Sequence, residues 1–389
     1  MQLRPWIILT AMALGRVAFG YQFQTVATLT PGLIGRFHLS YAEIGSLIGT
    51  YNLLGVFIAV PLGLLGRRFG DRIVLGAGLL LMTAGACLSA WSDGPAGIAV
   101  GRTAAGAGAV AMIVLQGKII ADWFAGQRFM IGISVSVAAF PVGMGLAGLV
   151  LPPVQQAFGL RGAFLTGAVP AGMALLLFLG SYRVPLHAPA APGRFSLPSR
   201  RECLLLVIAG LAWTAYTSGY SAFLSYLPAS LASRGYGATL VGVVMTVATW
   251  GNVPAILFGG GLAARFGGFR IFLIGTLCLA IGMVGGALAG WPLAWAVVLG
   301  VLGAIHPGVI MAIGTLSARP ENRTVGMSLF YTLYYLGGSF APTLCGVAAD
   351  GAGRPEGGLL AAAAISLLAI PIYMLHRAMA SHETMLVRA

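Results

Sequence analysis

Apolar residues in this chain run in blocks of about twenty, broken by short stretches that hold most of the charged side chains. A helix of about 20 apolar residues spans the roughly 30 Å hydrocarbon core of a bilayer. The pattern predicts twelve helices, over 6–29, 43–65, 73–91, 97–120, 129–150, 163–181, 203–226, 239–262, 271–290, 293–316, 324–348 and 358–376. Between the sixth and seventh, 182–202 is rich in proline and basic residues. The chain therefore divides into an N-terminal six-helix bundle (1–182), a cytoplasmic linker (183–202) and a C-terminal six-helix bundle (203–389). Ser40-Tyr41-Ala42-Glu43 has the capping-box spacing that opens the second helix.

The halves read as repeats. Residues 29–70 align without a gap to 226–267, an offset of 197. The matches are Pro31/Pro228, Gly45/Gly242, Val56/Val253, Gly63/Gly260, Leu65/Leu262 and Arg68-Phe69-Gly70/Arg265-Phe266-Gly267. They fall at equivalent points of the helix pattern, which points to duplication. The fold class is an all-α polytopic membrane protein with two pseudo-symmetric six-helix bundles. An even helix number per half makes the repeats parallel.

Composition agrees with the pattern. The chain is 58% hydrophobic and 8% charged, against about 25% charged in a soluble domain. Its 58 glycines suit helices packed through small residues. The net charge of +13 follows from basic cytoplasmic loops, and no basic run interleaved with aromatics supports nucleic-acid binding. Fifteen of the 22 lysines and arginines fall on the side of both termini, and four (Arg36, Arg161, Arg234, Arg354) fall opposite. That bias predicts an inner (plasma) membrane protein with cytoplasmic termini. The first apolar run is too long for a signal peptide and lacks a clean cleavage site, so it reads as the first span. Cys87, Cys203, Cys278 and Cys345 lie in or beside apolar segments without metal spacing and read as small packing residues.

Three basic residues, Arg16, Arg102 and Lys118, fall inside spans, as does His306. The nine carboxylates (Glu43, Asp71, Asp93, Asp122, Glu202, Glu321, Asp350, Glu356 and Glu383) all fall in loops, tails or helix ends. With no acid at mid-depth, the countercharge for a buried cation is a substrate anion. Arg16 has the strongest claim, because it sits ten residues from Trp6 and thirteen from Leu29 with no acid within a turn. At 100° per residue, Gly20, Phe23, Gln24 and Ala27 share its face within about 80°, and Gly20 would leave room beside the guanidinium. The others have simpler readings. Lys118 can snorkel and has Asp122 four residues on, and Arg102 can pack helices as well as contact an anion. His306 can satisfy the carbonyl that Pro307 frees, or act as the group that titrates near neutral pH. Asn52, Trp213, Tyr220, Asn252, Tyr331 and Tyr335 lie at similar depth and suit a small polar site in an apolar cavity.

Gly63-Leu64-Leu65-Gly66-Arg67-Arg68-Phe69-Gly70-Asp71-Arg72 resembles the major facilitator superfamily signature G-x-L-a-D-R-x-G-R-[KR], with the acid and one arginine at exchanged positions. Arg102-Thr103-Ala104-Ala105-Gly106-Ala107-Gly108 resembles that superfamily's R-x-x-x-G-x-G, and Phe140-Pro141-Val142-Gly143-Met144-Gly145 loosely echoes its G-P-x-x-G-G. Residues 121–126 and 19–24 look most like the cyanate/nitroimidazole porter group, near the nitrate/nitrite porters, although Phe140 replaces that group's usual tryptophan. The resemblance implies a secondary transporter working by rocker-switch alternating access. Arg67, Arg68, Asp71, Arg72 and Asp122 would form its cytoplasmic gate.

The expected substrate is a small anion, a monocarboxylate or a cyanate- or nitrite-like ion, bound by Arg16, with a coupling proton through His306. No ATP-binding loop appears, so uphill transport must use an ion gradient as symport or antiport. No cofactor or metal is called for, and the expected partners are the substrate, a proton and lipid around a monomer. One alternative is an efflux pump for neutral or weakly acidic lipophilic compounds, with Arg16 structural. Another is a non-transporting membrane sensor. Enzyme chemistry is disfavoured because His38, His187, His376 and His382 fall in loops or tails.

Overall fold

The computed structural model describes residues 4–124, 127–183, 198–319 and 322–386, and among these every regular element is helical. Of the linker expected over 183–202, residues 184–197 lie outside the described set, as does Glu321. The first half comprises α1 (Arg4–Phe37), α2 (Tyr41–Leu53), α3 (Gly55–Phe69), α4 (Asp71–Ala90), α5 (Pro95–Trp123), α6 (Gln127–Thr166) and α7 (Ala168–Ser181). The second comprises α8 (Arg200–Ser233), α9 (Ala238–Trp250), α10 (Asn252–Phe266), α11 (Gly268–Leu288), α12 (Pro292–Val297), a π-turn Val298–Leu302, α13 (Pro307–Leu316), α14 (Arg323–Ala352), α15 (Glu356–Leu367) and α16 (Ala369–Leu386).

Among the described residues, ten segments are long and apolar enough to cross a membrane by length and composition. One of them, Ile131–Ser181, is broken at Gly159 (φ 68°), and α14 is a further 30-residue helix, so counting two crossings in the first and one in the second matches the twelve expected. Several helices run past the membrane blocks read from the sequence. α1 continues through Pro31 to Phe37 and α8 through Pro228 to Ser233, so both extend beyond the expected apolar core. The tenth crossing is interrupted where Pro307, lacking an N–H, cannot donate back to the preceding turn. The helix there passes through the π-turn and restarts at α13.

The duplication is written into the element boundaries. α2 and α9 begin at 41 and 238, α3 and α10 at 55 and 252, and α4 and α11 at 71 and 268, each pair 197 apart. Left-handed backbone recurs at the same offset, at Gly70 (φ 84°) and Gly267 (φ 92°) and at His38 (φ 53°) and Gly235 (φ 82°). Gly70 and Gly267 turn the chain sharply between crossings in a conformation that a Cβ disfavours. His38 takes the conformation of Gly235 without that freedom.

The two halves meet along α2 against α14, α6 against α9 and α1 against α8. Gly49 of α2 lies so close to α14 that a Cβ there would sit 2.0 Å from the Ser339 carbonyl oxygen. The hydrogen bonds between halves cluster toward the end away from the termini. Asn52 Nδ2 donates to the Gly338 carbonyl at 3.3 Å, and Tyr226 Oη donates to the Tyr41 carbonyl at 3.0 Å. Thr246 Oγ1 donates to the Gly145 carbonyl at 2.9 Å, and Trp250 Nε1 to the Val142 carbonyl at 3.1 Å.

The start of α2 is part of this seam. A helix N-terminus leaves its first amides without partners in the helix. Ser40 Oγ accepts the Glu43 N–H at 3.2 Å, completing the predicted capping box. The Tyr41 and Ala42 amides instead donate to the two carboxylate oxygens of Asp350, on α14 of the other half, each at 2.9 Å. Asp350 thus caps a helix that it does not belong to.

A cavity between the halves

Below this seam, α1, α2, α5 and α6 of one half and α8, α10, α13 and α14 of the other enclose a cavity of about 350 Å³. The duplication builds facing walls. Arg16, Phe19 and Phe23 of α1 line one side, and their counterparts at offset 197, Trp213, Tyr216 and Tyr220 of α8, line the other. Asn52, Gln116, Phe140, Asn252, Tyr331 and Tyr334 complete much of the remainder.

Arg16 is the charged residue on this lining, and it is only 8% exposed. Its guanidinium carbon lies 5.3 Å from the Phe19 ring centroid and 5.2 Å from that of Phe140. Such cation–π contacts offset part of the cost of a desolvated charge, by about 2 kcal/mol each. Nε donates to the Ser136 carbonyl at 3.4 Å, a long bond. Ser136 is itself held by its hydroxyl, which donates to Gln116 Oε1 at 2.9 Å. Tyr331, Tyr334 and Tyr335 lie within electrostatic reach, and no carboxylate pairs with Arg16 among the described residues. Space beside the guanidinium comes from the cavity and not from Gly20, whose open side is filled by the backbone of α6: a Cβ there would lie 2.0 Å from the Phe140 carbonyl oxygen.

Of the residues singled out from the sequence, Arg16, Asn52, Trp213, Tyr220, Asn252 and Tyr331 line the cavity. Tyr220 Oη donates to the Ala248 carbonyl at 3.0 Å and accepts from Asn252 Nδ2 at 2.9 Å, so those two polar groups are fixed to each other. Gln24, Tyr335 and His306 do not line it. Gln24 is 1% exposed in the seam, its amide pointing at the Leu224 carbonyl at 3.5 Å. Tyr335 packs its ring on Gly55, in α3 of the opposite half. His306 is fully buried one layer behind the wall, edge-on to Tyr216 at 4.6 Å and to Phe272 at 5.7 Å. It lies near the Gly303 carbonyl that Pro307 frees, although neither ring nitrogen makes a well-formed hydrogen bond.

The other two basic residues expected inside spans have local partners, and of these Arg102 is buried whereas Lys118 is exposed at the helix end. Arg102 donates to the carbonyls of Leu47 (2.7 Å), Gln22 (3.2 Å) and Ile48 (3.3 Å) and lies over the Tyr51 ring at 5.0 Å. It therefore joins α5 to α1 and α2, away from the main cavity. Lys118 pairs at 2.6 Å with Asp71, not with the nearer-in-sequence Asp122. Asp71 also accepts from Tyr182 Oη at 3.4 Å, and Asp122 sits in the field of both Lys118 and Asp71. Arg72 donates to the Leu179 carbonyl at 2.7 Å, Arg68 lies over Phe69 at 5.4 Å, and the Arg67 side chain lies outside the described residues. These bonds stay within the first half.

Phe19, Phe23, Phe140, Tyr216 and Tyr334 were not among the predicted site residues, yet they supply much of the wall. Extending the 197 offset from Phe19 finds Tyr216, and one turn from Tyr331 finds Tyr334. Phe140 shows in the sequence only as the residue at a motif tryptophan's place, and the fold brings it to the cavity.

Comparison with known proteins places this architecture. A protein of Haemophilus influenzae named for metabolite transport is 25% identical over 365 residues, covering 88% of each chain. The inner membrane transport protein YajR of Escherichia coli is 30% identical over 142 residues, so that match spans 31% of its length. The hexuronate transporter of Escherichia coli is 28% identical over 172 residues, 41% of this chain and 38% of that protein. Among solved structures, a bacterial homolog of the human lysosomal transporter Spinster, inward-facing and unoccupied, superimposes with a TM-score of 0.78 at 14% identity over 97% of this chain and 98% of its own. The inward-open xylose transporter XylE from E. coli gives 0.77 at 18% identity over 95% and 96%. The Major Facilitator Superfamily profile matches residues 12–342 and again 203–383, and the chain belongs to that family of membrane transporters.

Proposed function

We propose that this protein is a secondary transporter of a small anion, bound at Arg16 between the two halves and passed across by their rocking. The observation that carries the proposal is an arginine on the cavity wall with both ring neighbours apolar and, among the described residues, no acid paired with it. A guanidinium offers in-plane N–H donors that suit a carboxylate or a similar planar anion. A monocarboxylate and a cyanate- or nitrite-like ion both meet this requirement, and the resemblance to the cyanate/nitroimidazole porter group supports the latter range. With both termini in the cytoplasm, as the basic loops predict, the seam closes the outer side, and the cavity belongs to an inward-facing state. The Asp71–Lys118 pair with Asp122 then marks the region that would meet the other half on opening outward.

A thermal-shift titration of the purified protein with acetate, nitrite, cyanate and benzoate tests the reading. A ligand at 100 times its dissociation constant stabilises the folded state by about 2.7 kcal/mol. The wild type should be stabilised by at least one of these anions, Arg16→Lys weakly, and Arg16→Gln not at all. Equal stabilisation of Arg16→Gln and wild type rejects the role of Arg16.

Proton coupling forms the second part of the proposal. The edge-on packing of His306 against the cavity-lining Tyr216, at 4.6 Å, supports a role that does not require contact with substrate. Proteoliposome uptake by His306→Gln should lose its dependence on an imposed pH gradient, and an unchanged dependence removes the proton from this route.

A second reading, export of neutral lipophilic compounds, draws support from the aromatic lining. It predicts binding that ignores Arg16→Gln.

A further inference from the structure

We infer that the substrate is an aromatic monocarboxylate, its carboxylate held by Arg16 and its ring stacked in the facing aromatic wall. This rests on the anion reading above and narrows it.

Three observations carry it. The first is size: a cavity of about 350 Å³ lies in the range of sites for drug-sized molecules, whereas about 10–15 Å³ on the same measure accommodates a single water. A triatomic ion would leave most of that space filled with water beside apolar rings. The second is the geometry around Arg16. Phe19 and Phe140 lie 5.3 and 5.2 Å from the guanidinium carbon and Nε is turned to the Ser136 carbonyl, so the Nη1/Nη2 edge is the one left for binding among the described residues. Two parallel N–H···O bonds to a carboxylate use that edge, and the body of the ligand then projects away from it into the cavity.

The third is the opposing surface. Trp213 and Tyr216 sit with ring centroids 5.7 Å apart, and Tyr331 and Tyr334 6.4 Å apart at 87°, all four on the cavity wall. Rings in edge and offset arrangements present both π-faces and edges, and each aromatic pair adds about 0.5–1.5 kcal/mol beyond area burial. A planar ring on the ligand fits between such surfaces. Since Arg16 supplies one positive charge and no lining residue is acidic, the ligand carries one negative charge.

Isothermal titration on detergent-purified protein, with 1-naphthoate, benzoate, acetate, nitrite and the neutral 1-naphthamide as probes, tests the inference. The expected result is a preference for 1-naphthoate over acetate of at least tenfold, which is about 1.4 kcal/mol. Arg16→Gln should remove naphthoate binding. Trp213→Ala and Tyr216→Ala should each collapse the naphthoate-to-acetate ratio toward one, and Trp213→Phe, which keeps a ring, should restore it. If acetate and nitrite bind as tightly as naphthoate while still requiring Arg16, the aromatic class is overturned and the anion reading stands. If naphthamide binds as well as naphthoate and Arg16→Gln is without effect, both fall together.

Discussion

Replacing Asp350 with alanine should loosen the seam at the start of α2 without unfolding either half. The carboxylate accepts the Tyr41 and Ala42 amides at 2.9 Å each, across the boundary between halves. A hydrogen bond to a charged group is worth about 1.5–3 kcal/mol when buried, but Asp350 is exposed and water can replace it. The better guide is the loss of a helix cap, about 0.5–2 kcal/mol. α2 keeps its own cap from Ser40, so the lost energy falls mainly on the contact between halves. A loss of about 1.4 kcal/mol changes the ratio of inward- to outward-facing protein tenfold. Spin labels at Gly35 and Gly237, where a side chain meets nothing within 4 Å, report the outer separation by electron–electron double resonance. Asp350→Ala should shift that distribution toward longer distances, with Asp350→Asn intermediate. Ser40→Ala removes a cap of similar strength within one half and should leave the distribution unchanged. If Asp350→Ala and Ser40→Ala behave alike, trans-capping does not hold the seam.

Two further predictions concern packing. Gly49→Ala places a Cβ against the Ser339 backbone, where no rotamer change relieves the overlap, so it should shift the same distance distribution outward. An unchanged distribution would mean that the halves are less tightly docked than drawn. Arg102→Ala leaves three carbonyls without their charged donor and should cost about 2–4 kcal/mol, read as a lower Tm by intrinsic fluorescence. Arg102→Lys should recover only part of it, since an ammonium cannot reproduce the fork. A Tm unchanged alongside lost anion binding would instead make Arg102 a substrate contact.

Much of the fold was legible because a bilayer imposes a simple rule, a block of apolar residues per crossing. The 197-residue offset, inferred from eight matched positions, recurs in the starts of α2 and α9 and in the left-handed backbone at Gly70 and Gly267. The hidden part was what covers each face. A helical wheel assigns Gln24 the same side as Arg16, yet α8 crosses there and closes the seam over it. His306 shows as a mid-span polar residue, but only the packing reveals Tyr216 standing between it and the cavity. Lys118 sits beside Asp122 in sequence and pairs with Asp71, 47 residues away, because α4 and α5 come together. Linear spacing predicts contacts within one helix and is silent about those between helices.

The unpaired charge of Arg16 also makes the carrier an electrical device. On the proposed anion reading, a bound monoanion that travels without a proton makes the moving centre neutral, and the membrane voltage then has little hold on the loaded step. When the site is empty, one positive charge must pass between the two sides' exposure, and each elementary charge crossing the full field is worth about 2.3 kcal/mol per 100 mV. With a negative interior and the termini in the cytoplasm as proposed, the empty protein is drawn toward the inward-facing arrangement, the one in which the seam at the start of α2 is shut. The voltage would therefore set how long the unloaded carrier waits before turning outward again, and transport current should depend on potential most when substrate is scarce.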